Sequence, residues 1–252
     1  MNNYIKNIVE AFDFNGVRNN KNNDIVSNVK EFAMRHIVDS IRNSVRPNDD
    51  IWNKHKDTPI YKVQSKEELR NLIADTMLVF GKDCILNWID TSMIENMSYL
   101  FRELDPHNID ISKWNVSNVT DMTNMFYNCE DFNCDLSKWN VSNVQTMSNM
   151  FGKCFKFNSD LSNWNVSNVT NMRYMFYCCK NFNSDLFSWN VSNVETMEEM
   201  FSLCYNFNCD LSKWDVSNVS DMSGMFKYCT MFNSDLSNWD VSNVKYMWTM
   251  FY

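Results

Sequence analysis

Residues 114–138 read WNVSNVTDMTNMFYNCEDFNCDLSK, and the stretch recurs with a 25-residue period: Trp114, Trp139, Trp164, Trp189, Trp214 and Trp239 stand at equal spacing. Self-similarity at a fixed period of this length is the signature of a repeat architecture, in which no unit can bury its apolar face alone. A degenerate earlier unit opens at Ile89 and keeps the frame, with Met97 matching Met122, Phe101 matching Phe126 and Asp110 matching Asp135. Six units are expected, followed by a partial seventh that runs from Trp239 to Tyr252.

Copies within one chain separate core from surface. From Trp114 onward, every unit that extends far enough keeps Trp, Val-Ser-Asn-Val, Met, Met-Phe, Cys, Phe-Asn and Asp-Leu. Fixed apolar positions must pack on their own copies in the units before and after. Other positions change freely: Thr120-Asp121 becomes Gln145-Thr146, Thr170-Asn171, Glu195-Thr196, Ser220-Asp221 and Lys245-Tyr246. Those positions are expected to face water or a partner. The spacing of Val119, Met122, Met125, Phe126 and Cys129 predicts one face of a short helical turn, α or 3₁₀. Phe132 to Val141 predicts one short strand or two abutting ones, with a register that Leu136 and Trp139 leave open. The expected fold is an α/β repeat solenoid of leucine-rich-repeat-like stacked coils. Each unit contributes a parallel strand and a helical turn, and neighbouring strands lie about 4.8 Å apart.

Two polar columns, Asn133 to Asn233 and Asp135 to Asp235, invite a calcium reading. One carboxylate per coil is too few for a calcium shell, so each side chain is expected to hydrogen-bond backbone amides at a corner of the coil. The Met and Trp columns read as core rather than as cofactor ligands. Of nine cysteines, Cys129, Cys154, Cys179, Cys204 and Cys229 hold one repeat position. With no short Cys pair and no His partner nearby, they read as a column of buried, reduced thiols. No metal and no cofactor is expected.

With those residues in hand, the motif W-[ND]-V-S-N-V-x-x-M-x-x-M-F-x-x-C-x-x-F-N-x-D-L-S resembles the BspA-like leucine-rich-repeat surface-protein family. The segments Ser65-Lys66-Glu67-Glu68-Leu69, Ile89-Asp90-Thr91-Ser92 and Met97-Ser98-Tyr99-Leu100-Phe101 look like that family's usual entry, so the resemblance covers about residues 60–252. It implies a solenoid used for binding or adhesion, at the cell surface, with no catalytic residues.

Residues 1–59 lie outside the motif. Ile5, Ile8, Val9 and Phe12 predict a helix ending at Asn15-Gly16, and Ile25 through Ile41 predict a longer one that ends before Pro47. The roles open to such helices are a second lid, a dimerisation arm or a tether to a larger particle. Residues 60–88 are expected to cap the repeats of 89–252 with a strand over Ile60–Val63 and a helix. Ser65 and Glu68 form a capping box that opens this helix, and Gly81 stops it.

The net charge of −8 argues against nucleic acid or an anionic membrane as partner. No apolar run approaches the roughly 20 residues of a membrane span, and the first residues lack a signal-peptide core. A cytoplasmic location follows from the sequence as written. His36, His55 and His107 are scattered, and no acid/base or nucleophile set points to an enzyme. The expected function is a protein-interaction scaffold. Its candidate surface is the aromatics at variable positions: Tyr127, Tyr174, Tyr177, Tyr205 and Tyr228, with Tyr246 and Trp248 in the last unit. The alternative is a structural or assembly component, for example of a virus particle, that self-associates through residues 239–252.

Overall fold

The computed structural model describes residues 61–252. The helices expected between residues 4 and 46 lie outside the described residues. Three elements of regular structure open the described part. They are strand β1 (Tyr61–Lys62), helix α1 (Lys66–Phe80) and strand β2 (Ile89–Asp90). The strands pair in parallel, with Tyr61 opposite Ile89 and Lys62 opposite Asp90. Helix α1 begins and ends on the residues that the sequence marks. Ser65 accepts a hydrogen bond from the Glu68 amide, and Gly81 adopts φ 86° and donates its amide to the Met77 carbonyl.

From Ile89 onward each unit is hydrogen-bonded to the next in parallel register. Single bridges join Asn96, Asp121, Thr146, Asn171, Thr196, Asp221 and Tyr246 in succession. The Met122, Asn124, Phe126 and Asn128 amides donate to the Thr146, Ser148, Met150 and Gly152 carbonyls, at 2.8 to 3.0 Å. In the other direction the Gln145 amide donates to the Thr120 carbonyl at 2.8 Å. The same set of bonds recurs from unit to unit.

This pattern corrects two details of the sequence reading. The segment Val119 to Cys129 is not a helical turn. Its Met122, Asn124, Phe126 and Asn128 amides go to the next unit. The intervening amides of Met125, Tyr127 and Cys129 close short turns on Met122, Asn124 and Phe126. Asn124 and Asn128 sit in the left-handed region at φ 55° and 64°, which ends each turn before it can become a helix. A run of such turns carries side chains inward at nearly helical spacing, so the inward residues are the ones that the spacing marks. The second detail is the strand. In the units from Trp114 onward the bridge falls in the Asp121 column. Among the described residues, pairing within the expected stretch occurs at the start of the repeats alone, where Ile85 bridges Asp110 in the Asp135 column and β2 occupies the Trp139–Asn140 columns. The stretch Phe132 to Val141 is bent by a turn in which the Trp139 amide bonds the Leu136 carbonyl at 3.0 Å.

The fixed apolar columns form one continuous core. Phe126 and Phe151 stack with ring centroids 5.6 Å apart, Phe151 and Phe176 follow at 5.7 Å, and Phe132 lies 4.1 Å from Phe126. Each indole of the 25-residue column from Trp114 to Trp239 is buried with its N–H satisfied. Trp139 donates to the Ile111 carbonyl and Trp164 to the Leu136 carbonyl, at 3.1 and 3.0 Å. A buried indole needs such a partner, which accounts for tryptophan rather than phenylalanine in this column. The thiols lie against carbonyls of the preceding unit, as Cys154 does on Phe126 at 3.0 Å and Cys179 on Phe151 at 2.9 Å. All nine cysteines are free.

Helix α1 covers the first unit. Leu69, Ile73 and Met77 are buried. The carbonyls of a first unit have no earlier amides to accept, and Arg70 supplies donors instead. Its guanidinium bonds the Tyr99, Leu100 and Arg102 carbonyls at 3.1, 2.6 and 2.6 Å. Lys66 adds bonds to Asn96 Oδ1 and Ser98 Oγ.

Candidate functional site

The Asn and Asp columns are occupied by the backbone. Asp135, Asp160, Asp210 and Asp235 each accept the amide of the serine two residues on, at 2.9 Å. Asn133, Asn158, Asn183 and Asn208 each accept the amide of the equivalent Asn in the next unit, at 2.8 to 2.9 Å. A third column, Asn118 to Asn243, donates its side-chain amide to a serine carbonyl of the preceding unit, at 2.7 to 2.8 Å. With the column of Thr120 and Gln145, this last set lines a shallow polar groove of about 1200 Å³. None of the expected aromatics lines it. Among the described residues, no group of three or more His, Cys, Asp or Glu could hold a metal ion.

The expected aromatics divide into three sets. Tyr127, Tyr174 and Tyr177 form the first, on turns of units that open at Trp114 and Trp164. Tyr174 and Tyr177 meet edge to face at 5.6 Å. Lys153 reaches between the units, 5.5 Å above the Tyr127 ring, and its ammonium is held charged to higher pH by the Tyr127 hydroxyl. Gly152 stands between Tyr127 and Tyr177 in their column. A Cβ there would meet Asn149 Oδ1 and lie 3.2 Å from the Tyr127 ring, so a larger residue requires the Asn149 side chain to turn away. Arg173 lies 4.9 Å over Tyr174 and pairs with Glu198 at 2.7 Å, while the Tyr174 hydroxyl donates to Glu198 at 3.0 Å. Partial burial pushes the Tyr174 and Tyr177 phenols up.

Tyr205 and Tyr228 form the second set, both exposed on later turns. Tyr228 carries Lys227 at 5.6 Å and meets Tyr252 edge to face at 5.4 Å. Tyr246 and Trp248 form the third. They lie in the Asp121 and Thr123 columns of the last unit, just before the Asn124 column that Tyr174 occupies. Sequence reasoning missed Phe155, Lys153 and Lys180, which share the turn with the tyrosines. The signal was present: Glu130 gives way to Phe155, Lys180 and Tyr205 in a single column.

A family model described as Mycoplasma protein of unknown function, DUF285, matches residues 67–186 and again residues 157–252. The chain belongs to the DUF285 family. At this level the resemblance to BspA-like repeat proteins holds. The two DUF285 matches overlap because a periodic chain accepts the same pattern in more than one register. They take in helix α1 and all the repeats, including every expected aromatic. No curated protein and no solved structure matches the chain. No helix among the described residues is long and apolar enough to cross a membrane.

Proposed function

We propose that this DUF285 chain is a non-catalytic protein-interaction scaffold, built as a leucine-rich-repeat-like solenoid of stacked coils that presents its variable turns to a partner. One observation carries the reading. In a chain whose inward columns barely change, tyrosines and cations accumulate on one turn of successive units. Tyrosine and arginine supply much of the energy at protein interfaces, because they bury large area at low entropic cost. The nine free thiols support a reducing compartment for the chain as given, while its BspA-like resemblance favours a surface role. The test is capture of a partner by the purified chain, repeated with Tyr177→Ser and Tyr205→Ser together. Loss of the captured protein with an unchanged melting temperature supports the scaffold. Equal capture by both proteins rejects this face.

A second reading has its own observation. Tyr246 and Trp248 are aromatic in columns that carry Asp121, Thr146, Asn171, Thr196 and Asp221, and Thr123, Ser148, Arg173, Glu198 and Ser223, in the earlier units. Aromatic residues in otherwise polar columns suit an assembly component that associates through this unit. Light scattering of the chain, beside Tyr246→Ser with Trp248→Ser, decides it. Concentration-dependent growth that the double substitution abolishes supports assembly, and a monomer at all concentrations rejects it.

A further inference from the structure

The turn that carries the tyrosines also concentrates positive charge in an acidic protein. From the unit opening at Trp139 onward, its stretches are Gly152–Lys156, Tyr177–Asn181, Ser202–Asn206 and Lys227–Met231. They hold Lys153, Lys156, Lys180 and Lys227 and no carboxylate, although the whole chain has a formal charge of −8. Each stretch lies beside its neighbour in register. The Asn181 amide bonds the Phe155 carbonyl, and the Thr230 hydroxyl bonds the Tyr205 carbonyl, both at 3.3 Å.

The lysines lie on aromatic rings. Lys180 stands 4.1 Å above Phe155, Lys153 stands 5.5 Å above Tyr127, and Lys227 stands 5.6 Å from Tyr228. A ring under an ammonium holds the charge at the surface without neutralising it. Lys156 pairs with Asp131 at 2.6 Å, but its side chain is 63% exposed, and an exposed pair of this kind is weak enough to exchange partners. The unit between carries Leu203 and Tyr205 in place of lysines. The corner therefore alternates, with two lysines, then one, then an apolar rung, then one more.

We propose that this corner binds an acidic segment of a partner protein, with carboxylates on the lysines and an apolar side chain on Leu203 and Tyr205. The proposal rests on the scaffold reading and names the chemistry of its partner. Charge complementarity favours a protein over a nucleic acid. Asp135, Asp160, Asp185, Asp210 and Asp235 follow the corner in the sequence, one exposed carboxylate per unit. A nucleic acid carries a charge on every nucleotide and needs a broad basic face, which a chain of net charge −8 with this acidic column does not offer. A peptide places its charges locally and avoids it.

The experiment uses the full chain and three labelled probes in fluorescence anisotropy. They are a peptide of glutamate pairs separated by leucine or tyrosine, the same peptide with glutamine for glutamate, and a single-stranded oligothymidylate. The expected result is binding of the acidic peptide, weakened at least about tenfold in the glutamine peptide and by Lys180→Glu with Lys227→Glu. Equal binding of the glutamine peptide, full retention by the lysine variant, or tighter binding of the oligonucleotide overturns the proposal. The scaffold reading fails separately. A captured partner that is lost with the tyrosine substitutions and kept with the lysine substitutions leaves the scaffold standing and rejects the acidic segment.

Discussion

The inward columns and the turn corner of this chain lie a few residues apart in every unit and obey opposite rules. Met125, Phe126 and Cys129 repeat because each packs on its own copy, so one change disturbs contacts in three units. Between and beside them Tyr127, Gly152, Tyr177, Ser202 and Lys227 share one column and have little in common. The backbone of the corner is nonetheless as regular as that of the core, since the bonds that join units run through carbonyls whatever the side chain. Side-chain freedom on a fixed backbone is what lets one architecture present different surfaces.

The largest test of this contrast is Trp164→Ala against Tyr205→Ser. Trp164 is buried, lies tilted against Phe151 with ring centroids 6.3 Å apart and gives its N–H to the Leu136 carbonyl. Its loss opens a cavity and removes one of the two hydrogen bonds that the Leu136 carbonyl accepts, at an expected cost of about 3–5 kcal/mol. Tyr205 is exposed, and its replacement is expected to cost under about 0.5 kcal/mol. Denaturant melts read both values. Similar costs would break the division between core and corner.

A smaller effect comes from pH. Burial holds the thiols of Cys154, Cys179 and Cys204 well above the ordinary range, and pushes Cys229 up to about 12. A thiol with a raised folded value stays protonated in the fold while its unfolded counterpart ionises. Stability is therefore complete below about pH 8.5 and falls above it, by about 1.4 kcal/mol per pH unit for each such thiol. The carboxylates behave in the opposite sense. Hydrogen bonds from Ser137 and Ser162 lower Asp135 and Asp160, so their contribution is present at neutral pH and lost as pH falls through the carboxylate range. These side chains are exposed, and that limb is shallow. Melting temperature is expected to drop steeply on the alkaline side only. Cys179→Ala should flatten the alkaline slope by one thiol's share, and an unchanged slope would place that thiol outside the core.

What the sequence made legible follows from this contrast. The period and the inward residues were readable because every copy repeats them. Helix α1 was readable because Ser65, Glu68 and Gly81 state its ends. The backbone of the repeat was not, because short turns with a left-handed residue bring side chains inward at the spacing of a helix. The left-handed positions fall on Asn124 and Asn128 but also on Tyr174 and Leu203, so no run of glycines marks them. The tyrosines of the corner stood out as exceptions to polar columns. Its lysines did not, because a net charge of −8 conceals a local basic surface.

The finest test lies in two neighbouring columns that vary equally in sequence. Both Asn171 and Gln145 were expected to be free. Gln145 is exposed, and its backbone carries its bonds to neighbouring units. Asn171 does more: its Oδ1 accepts the Arg173 amide at 3.0 Å, beside the bridge to Thr146 and Thr196. The column explains itself once this bond is known. Asn96, Asp121, Asn171 and Asp221 accept the same amide through a carboxylate or amide oxygen, and Thr146 and Thr196 accept it through a hydroxyl at 3.4 Å. What looked like free variation is a choice among short oxygen acceptors that close a local turn. Asn171→Ala is therefore expected to cost about 1 kcal/mol, the net value of such a bond. Gln145→Ala should cost under about 0.5 kcal/mol. Asn171→Asp keeps the acceptor and should restore most of the loss. Equal melts for the alanine variants at both positions would mean that the side-chain bond at Asn171 adds nothing to the turn that the backbone does not already hold.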